Sequence, residues 1–547
     1  MRLRYVVLVA VALTLLLTSC IPASGVFIFQ TQGEYVVYTN GTTTHTLAHG
    51  NLIYGETHGS TTTLIVSSIS GTLKSINVNP ISGRKTENPI FQAINMVTTS
   101  PYIENSPCGT WIIITLKNRH VALLLKDGKI VFNSEAYMPE SNIPIPDSAV
   151  YKPISVAPDG SCWLMLKNED YYLLHIGKKH DIENTLTIAG GNKRYVVFQT
   201  LLDNILIIYQ TNDGEYGYKL VKPDGRVVID TSDIANLKKL IPLYKTYKDS
   251  LAFVYQDFQN KLHVVVVKGD GTITVNRTFP LGTTDINNHT AILQWTDDGH
   301  LYFYHEGNLC NVNIGICQAI DDTVYTLLSS KNNIVAIGYK GIYITSEDMN
   351  IKKIKLTVSS YTPLKGEIIL ITASNHKAYR ILGYDIQPLN ITGTLLSDGI
   401  YTAPNGRDTL ILSRSSKNYL LYLFDGTTAK LIEKSTSSIN ISTYPYIAWA
   451  KKEGNSVIYT STNTEIVKEN DTYHVDVKGI SPNFIFVFND QKAGPYNIIL
   501  LIENDKVVYT LPIKRYDRVY PLQKGSVYES VFVYTQGGGI LLSVKKK

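Results

Sequence analysis

The stretch that decides the fold is SPCGTWIIITLKNRHVALLLKDGKIVFNSE, residues Ser106 to Glu135. It reads as three runs of strand formers, TWIIITLK, HVALLLK and KIVFNSE, separated by Asn118-Arg119 and Asp127-Gly128. Branched and aliphatic side chains fit a pleated, half-buried surface, and two-residue separators of this kind close hairpins. Ahead of the runs, Ser106-Pro107-Cys108-Gly109 supplies a proline that presets a turn and a glycine free to take a positive φ. The same order returns along the chain: Ala157-Pro158-Asp159-Gly160 precedes SCWLML, Thr296-Asp297-Asp298-Gly299 precedes HLYFYH, and Ala403-Pro404-Asn405-Gly406 precedes RDTLILS. The four glycines stand 51, 139 and 107 residues apart, and weaker copies begin at Leu201, Lys248, Lys331 and Leu364. A period of about 35 to 50 residues with several strands per unit predicts an all-β fold, a β-propeller.

These turns resemble the Ser-Pro-Asp-Gly-type turn of the TolB-like and WD-repeat-like propeller superfamily, over residues 90 to 430. The resemblance implies an architecture and leaves function open. The Gly-His and Trp-Asp pairs of WD repeats are not in register, so no WD-type partner is implied. The expected division is 1–20 as an export signal, 21–438 as a propeller of about seven or eight blades, and 439–547 as an additional C-terminal β-domain or closing blades. A larger ring or two smaller propellers are the alternatives. SDIANLKKL, from Ser232, opens on a capping residue with partial helical periodicity and is read as one short connecting helix.

The first twenty residues, MRLRYVVLVAVALTLLLTSC, give Arg2 and Arg4, an uncharged apolar run to Leu17, and then Thr18-Ser19-Cys20. The order of charge, apolar core and small residues marks an export signal, too short for a membrane span of about 20 apolar residues. It resembles the bacterial and archaeal lipoprotein signal, which implies Cys20 as the lipid attachment site and a membrane-anchored protein at the cell surface or in the periplasm. Simple cleavage after Gly25 and an uncleaved anchor are the other readings. Without Arg2, Arg4 and the terminal Lys545, Lys546 and Lys547, the body carries 46 basic against 46 acidic residues. That balance lacks the basic excess of nucleic-acid binders, and no nucleic-acid partner is expected.

Apart from Cys20 the chain has Cys108, Cys162, Cys310 and Cys317, an even count that permits disulfides in an exported protein. Cys310 and Cys317 flank NVNIGI, a turn-forming segment, and are the candidate bridge; two buried thiols are the alternative. Asn40, Asn276, Asn288, Asn390, Asn440 and Asn470 sit in N-x-[ST] sequons, which permit glycosylation without establishing it.

No G-x-S-x-G, P-loop, Rossmann fingerprint or H-E-x-x-H occurs, and no Asp-Gly pair sits in a calcium-loop pattern. His45, His49, Glu56 and His58 are the one metal-like cluster. On one strand, His45 and His49 would stand about 13 Å apart at ~3.3 Å per residue, too far to share an ion. No catalytic residue, cofactor or metal ion is therefore assigned. Trp111, Trp163 and Trp295 lie beside the repeat turns and are expected to pack between blades; with Trp449 and the 37 tyrosines they are also the candidates for a stacking surface. The expected function is a non-catalytic, surface-anchored propeller that binds a protein or an envelope component such as a glycan. A polysaccharide hydrolase or lyase with groups gathered at the channel mouth is the alternative, and a surface assembly subunit the third reading.

Overall fold

The computed structural model describes residues 26–545, apart from 93–100, 135–149, 280–290, 469–474, 490–496, 523–527 and interruptions of one to four residues. Cys20 and the whole export signal lie outside the described residues. Among those described, fifty strands form twelve antiparallel sheets, eleven of four strands and one of six. The protein is an all-β, multi-blade β-propeller.

Each four-stranded sheet is a meander of consecutive strands. The sheet read from sequence runs Tyr102–Ser106, Gly109–Thr115, His120–Lys126 and Lys129–Asn133. Asp127 and Gly128 both have positive φ, 51° and 73°, which a two-residue hairpin of the right twist requires. The two middle strands are buried along almost their whole length, whereas the first and fourth are largely accessible. Middle strands pack on both faces against neighbouring sheets, which explains their near-continuous apolar sequence.

The chain divides into two compact units, one of residues 1–151 with 437–547 and one of residues 152–436. The 152–436 unit holds seven sheets, 150–188, 193–230, 237–279, 291–319, 324–354, 358–388 and 394–435. Apolar clusters join consecutive sheets, as where Val264 and Val266 meet Leu301 and Phe303, or Val335 and Ile337 meet Ile369 and Ile371. First strands of consecutive sheets come together, Leu237–Tyr247 with Ala291–Trp295 and the latter with Val324–Ser330, so the sheets fan out from their first strands.

The other unit holds the 51–92, 102–133, 439–468 and 475–512 sheets and the six-stranded one. In the latter, Val26–Gln32 pairs with Gly538–Lys545 on one side and with Tyr35–Asn40 on the other. Residues 439–547, expected as a C-terminal β-domain or closing blades, group with residues 1–151 in one compact unit, and the range 21–438 spans parts of both units. The pairing that joins the two ends of the chain leaves no local mark in the sequence.

The helix expected from Ser232 is reduced to a single 3-10 turn, Thr231–Asp233, capped by the Asp230 side chain accepting from Ser232 N. Asn236 then takes a positive φ of 62°, and Leu237–Tyr247 is a strand that buries Leu240 and Ile241. Tertiary burial overrides the weak helical pattern.

Candidate functional site

The 324–354 sheet presents chemically different ends. At one end lie the start of its first strand and its middle hairpin, Gly338-Tyr339-Lys340-Gly341; at the other lie the Lys331-Asn332 and Glu347-Asp348 turns.

The first end carries exposed aromatics. Tyr339 is 68% exposed, and Tyr325 and Tyr361 are each 38% exposed. The Tyr325 and Tyr339 rings lie 5.4 Å apart, inclined at 55°. Tyr361 belongs to Val358–Leu364, the first strand of the next sheet, whose alternation turns Ser359, Tyr361 and Pro363 outward. The Tyr325 hydroxyl donates to Val358 O at 3.5 Å, bridging to that strand. Burial, then the neighbouring Tyr361 and Tyr339, push the Tyr325 phenol above its ordinary pKa. It therefore stays neutral, able to donate or accept hydrogen bonds.

A buried carboxylate holds this platform. Asp322 Oδ2 accepts from Lys340 N at 2.8 Å and from the Tyr343 hydroxyl at 3.1 Å, while Lys340 Nζ pairs with Asp321 at 3.2 Å. Asp322 O accepts from the Tyr304 hydroxyl, 3.0 Å, which ties the site to the preceding sheet. A Cβ on Gly338 would run into the Asp322 carboxylate, so glycine is what lets the acid reach under the hairpin. The platform is thus fixed from beneath and aromatic on its accessible side, an arrangement suited to stacking and hydrogen bonding.

The second end is acidic. His300 lies between Asp298 Oδ2, 3.2 Å from Nδ1, and Glu347 Oε1, 3.0 Å from Nε2. Burial, then a hydrogen bond and charge from Asp297, raise the pKa of Glu367. Turns from three consecutive sheets supply these groups.

The sequence candidates fall as follows. Trp111 and Trp163 are 1% exposed and Trp295 is 8% exposed, so all three pack in the interior; Trp449 is half-buried. Trp295 stacks on Tyr247 at 5.3 Å. The histidine cluster disperses: His45 lies against Tyr38, His49 is 3.4 Å from Glu34, and His58 is 3.5 Å from Asp127. Glu56 is instead half-buried, accepting from the hydroxyls of Tyr54 at 2.9 Å and Thr110 at 3.3 Å, and desolvation raises its pKa. Among the described residues no group of His, Cys, Asp and Glu is placed to hold a metal ion. Cys310 and Cys317 face each other across adjacent strands, bridged, with Cα atoms 4.0 Å apart; Cys108 and Cys162 are also disulfide-bonded.

No family model matches the chain, and no curated protein matches it. Among solved structures it is similar to a eukaryotic initiation factor at 11% identity and TM-score 0.32, covering 76% of this chain and 96% of that one. It is also similar to AztD of Citrobacter koseri at 12% identity and TM-score 0.27, covering 76% and 95%. A third is the dihydro-heme d1 dehydrogenase NirN, at 10% identity and TM-score 0.25, covering 75% and 73%. Scores this low carry no argument about function, and the propeller assignment rests on the sheets themselves.

Proposed function

We propose that this chain is an exported, lipid-anchored, non-catalytic propeller that binds a component of the cell envelope through the Tyr325, Tyr339 and Tyr361 platform. The observation that carries the reading is three tyrosines left accessible on two neighbouring sheets, with the hairpin that bears Tyr339 braced by a buried Asp322. Rigid, accessible tyrosines are typical anchors for protein partners and stack on sugar rings. The four disulfide-bonded cysteines support an oxidising compartment. No helix among the described residues is long and apolar enough to cross a membrane. Attachment through Cys20 rests on the order of charge, apolar run and Thr18-Ser19-Cys20 in the sequence. Two acyl chains hold a protein at a membrane where one binds only reversibly. Cys20→Ser should move the protein from the membrane fraction to the soluble fraction; retention in the membrane would refute the anchor.

Binding is tested with purified protein against immobilised envelope glycans and surface-layer protein. The Tyr325→Ala/Tyr339→Ala/Tyr361→Ala variant should lose at least about tenfold in affinity, ~1.4 kcal/mol. Equal binding by that variant would remove the platform from the reading.

A second reading, a polysaccharide hydrolase, is favoured by the Asp297 and Glu367 carboxyls, since one raised pKa beside a second acid is the pattern of acid catalysis. In the same glycan panel, new reducing ends that disappear with Glu367→Gln would decide for it.

A further inference from the structure

Sheets of this protein generally meet through aliphatic faces. The 51–92 sheet shares an apolar cluster with the 102–133 sheet as well, but departs from that rule over part of one face. Thr63 is the cross-strand partner of Asn77, and Ser75 of Asn88, so these polar side chains project together. With Gly128, Lys129, Ile130 and Asn133 of the 102–133 sheet they enclose a cavity of about 340 Å³. Its floor is buried, with Thr63 at 1% and Ser75 at 7% exposed, while Asn88 and Lys129 stand exposed at its rim. The Thr63 hydroxyl donates to Gly128 O at 2.6 Å and lies 2.8 Å from Asn77 Oδ1, which ties the two sheets together across the floor.

Aliphatic side chains at these positions would seal the sheets, as they do elsewhere in the fold. The polar set instead suits a ligand dense in hydroxyls. Amides and hydroxyls both donate and accept, matching a polyol in either sense, and Pro89, Ile90 and Ile130 offer an apolar wall to its C–H face. The volume lies at the small end of the range for ligand sites, about 300–1,000 Å³. The cation at the rim is Lys129; the adjacent Asp127 is turned to His58. We propose that this cavity binds a single acidic monosaccharide, a uronic acid, with its hydroxyls on Thr63, Ser75, Asn77 and Asn133 and its carboxylate on Lys129.

The test is calorimetric titration of the purified full chain with glucuronate, galacturonate and glucose. At least one uronate should bind with a Kd of about 1 mM or tighter, and glucose about tenfold more weakly. Lys129→Gln should abolish the preference for acid while leaving glucose binding unchanged. Asn77→Leu, which fills the cavity, should abolish binding of all three; Asn133→Leu provides the same reading should Asn77→Leu fail to fold. The triple tyrosine variant should bind uronate normally, which separates this site from the platform on the other unit. Absence of heat with all three sugars, undiminished binding by the filled-cavity variants, or loss of uronate binding in the tyrosine variant would each overturn the proposal.

Discussion

Removal of residues 26–49 is expected to unfold the unit built from the two ends of the chain and to leave the 152–436 unit folded. Val26–Gln32 is an interior strand of its sheet, paired from Val26 with Val544 to Gln30 with Ile540. Its alternation serves two cores. Phe27 and Phe29 enter the cluster with Leu52, Leu64 and Val121, while Val26 and Ile28 enter the cluster with Phe484, Phe486 and Ile499. With Val36 and Tyr38, six buried side chains leave at once, each contributing about 1.5–3 kcal/mol. That is about 10 kcal/mol or more, against a total stability of about 5–15 kcal/mol for a domain. Calorimetry should show two transitions for the whole chain and one for the truncated chain, and limited proteolysis should leave a fragment close to 152–436. Survival of both transitions would restore the division in which residues 439–547 form a domain of their own.

What was legible in the sequence was local. Asp127-Gly128 specifies its hairpin because two adjacent positions must both take positive φ, and the runs beside it are strands because branched and aliphatic residues fill both faces. The joining of Ile28 to Leu542, or of Thr57 Oγ1 to Ser543 Oγ at 2.7 Å, carries no such mark. Each strand there looks like any other, and only the pairing makes one unit from two distant segments. The site follows the same division. Trp111 and Trp163, beside repeat turns, were readable as packing, since a large ring next to a hairpin in a middle strand has a neighbouring sheet on either side. The tyrosines were not separable by type in a chain with 37 of them. A usable signal was nonetheless present in Gly338-Tyr339-Lys340-Gly341, where an aromatic in a tight turn between glycines has nothing local to pack against. Asp322 was invisible, because its partners are set by the hairpin that closes over it.

Asp322→Ala is expected to destabilise the 152–436 unit by about 3 kcal/mol, because two hydrogen bonds to a charged group are lost and the Tyr343 hydroxyl is left buried. At ~2–4 °C per kcal/mol for a domain of similar size, its melting temperature should fall by about 6–12 °C. The effect has a signature in pH. Burial, followed by the Asp322 carboxylate, pushes the Tyr343 phenol up to about 12, above its unfolded value of about 10. The folded state thus favours neutral Tyr343, and its contribution is complete below about pH 10 and lost as pH rises through the folded value. The advantage of the natural chain over Asp322→Ala should accordingly be constant from neutral pH to about 10 and shrink above it. A second consequence reaches the platform. Lys340 N is held by Asp322 and Tyr339 precedes it directly, so releasing the carboxylate frees the hairpin that aims the most exposed ring. Binding through the platform should then weaken in Asp322→Ala at temperatures where the unit is still folded, whereas Asp321→Ala, which removes only a solvent-exposed ion pair, should leave both stability and binding nearly unchanged. Equal melting temperatures for the natural chain and Asp322→Ala would show that the carboxylate is not the brace.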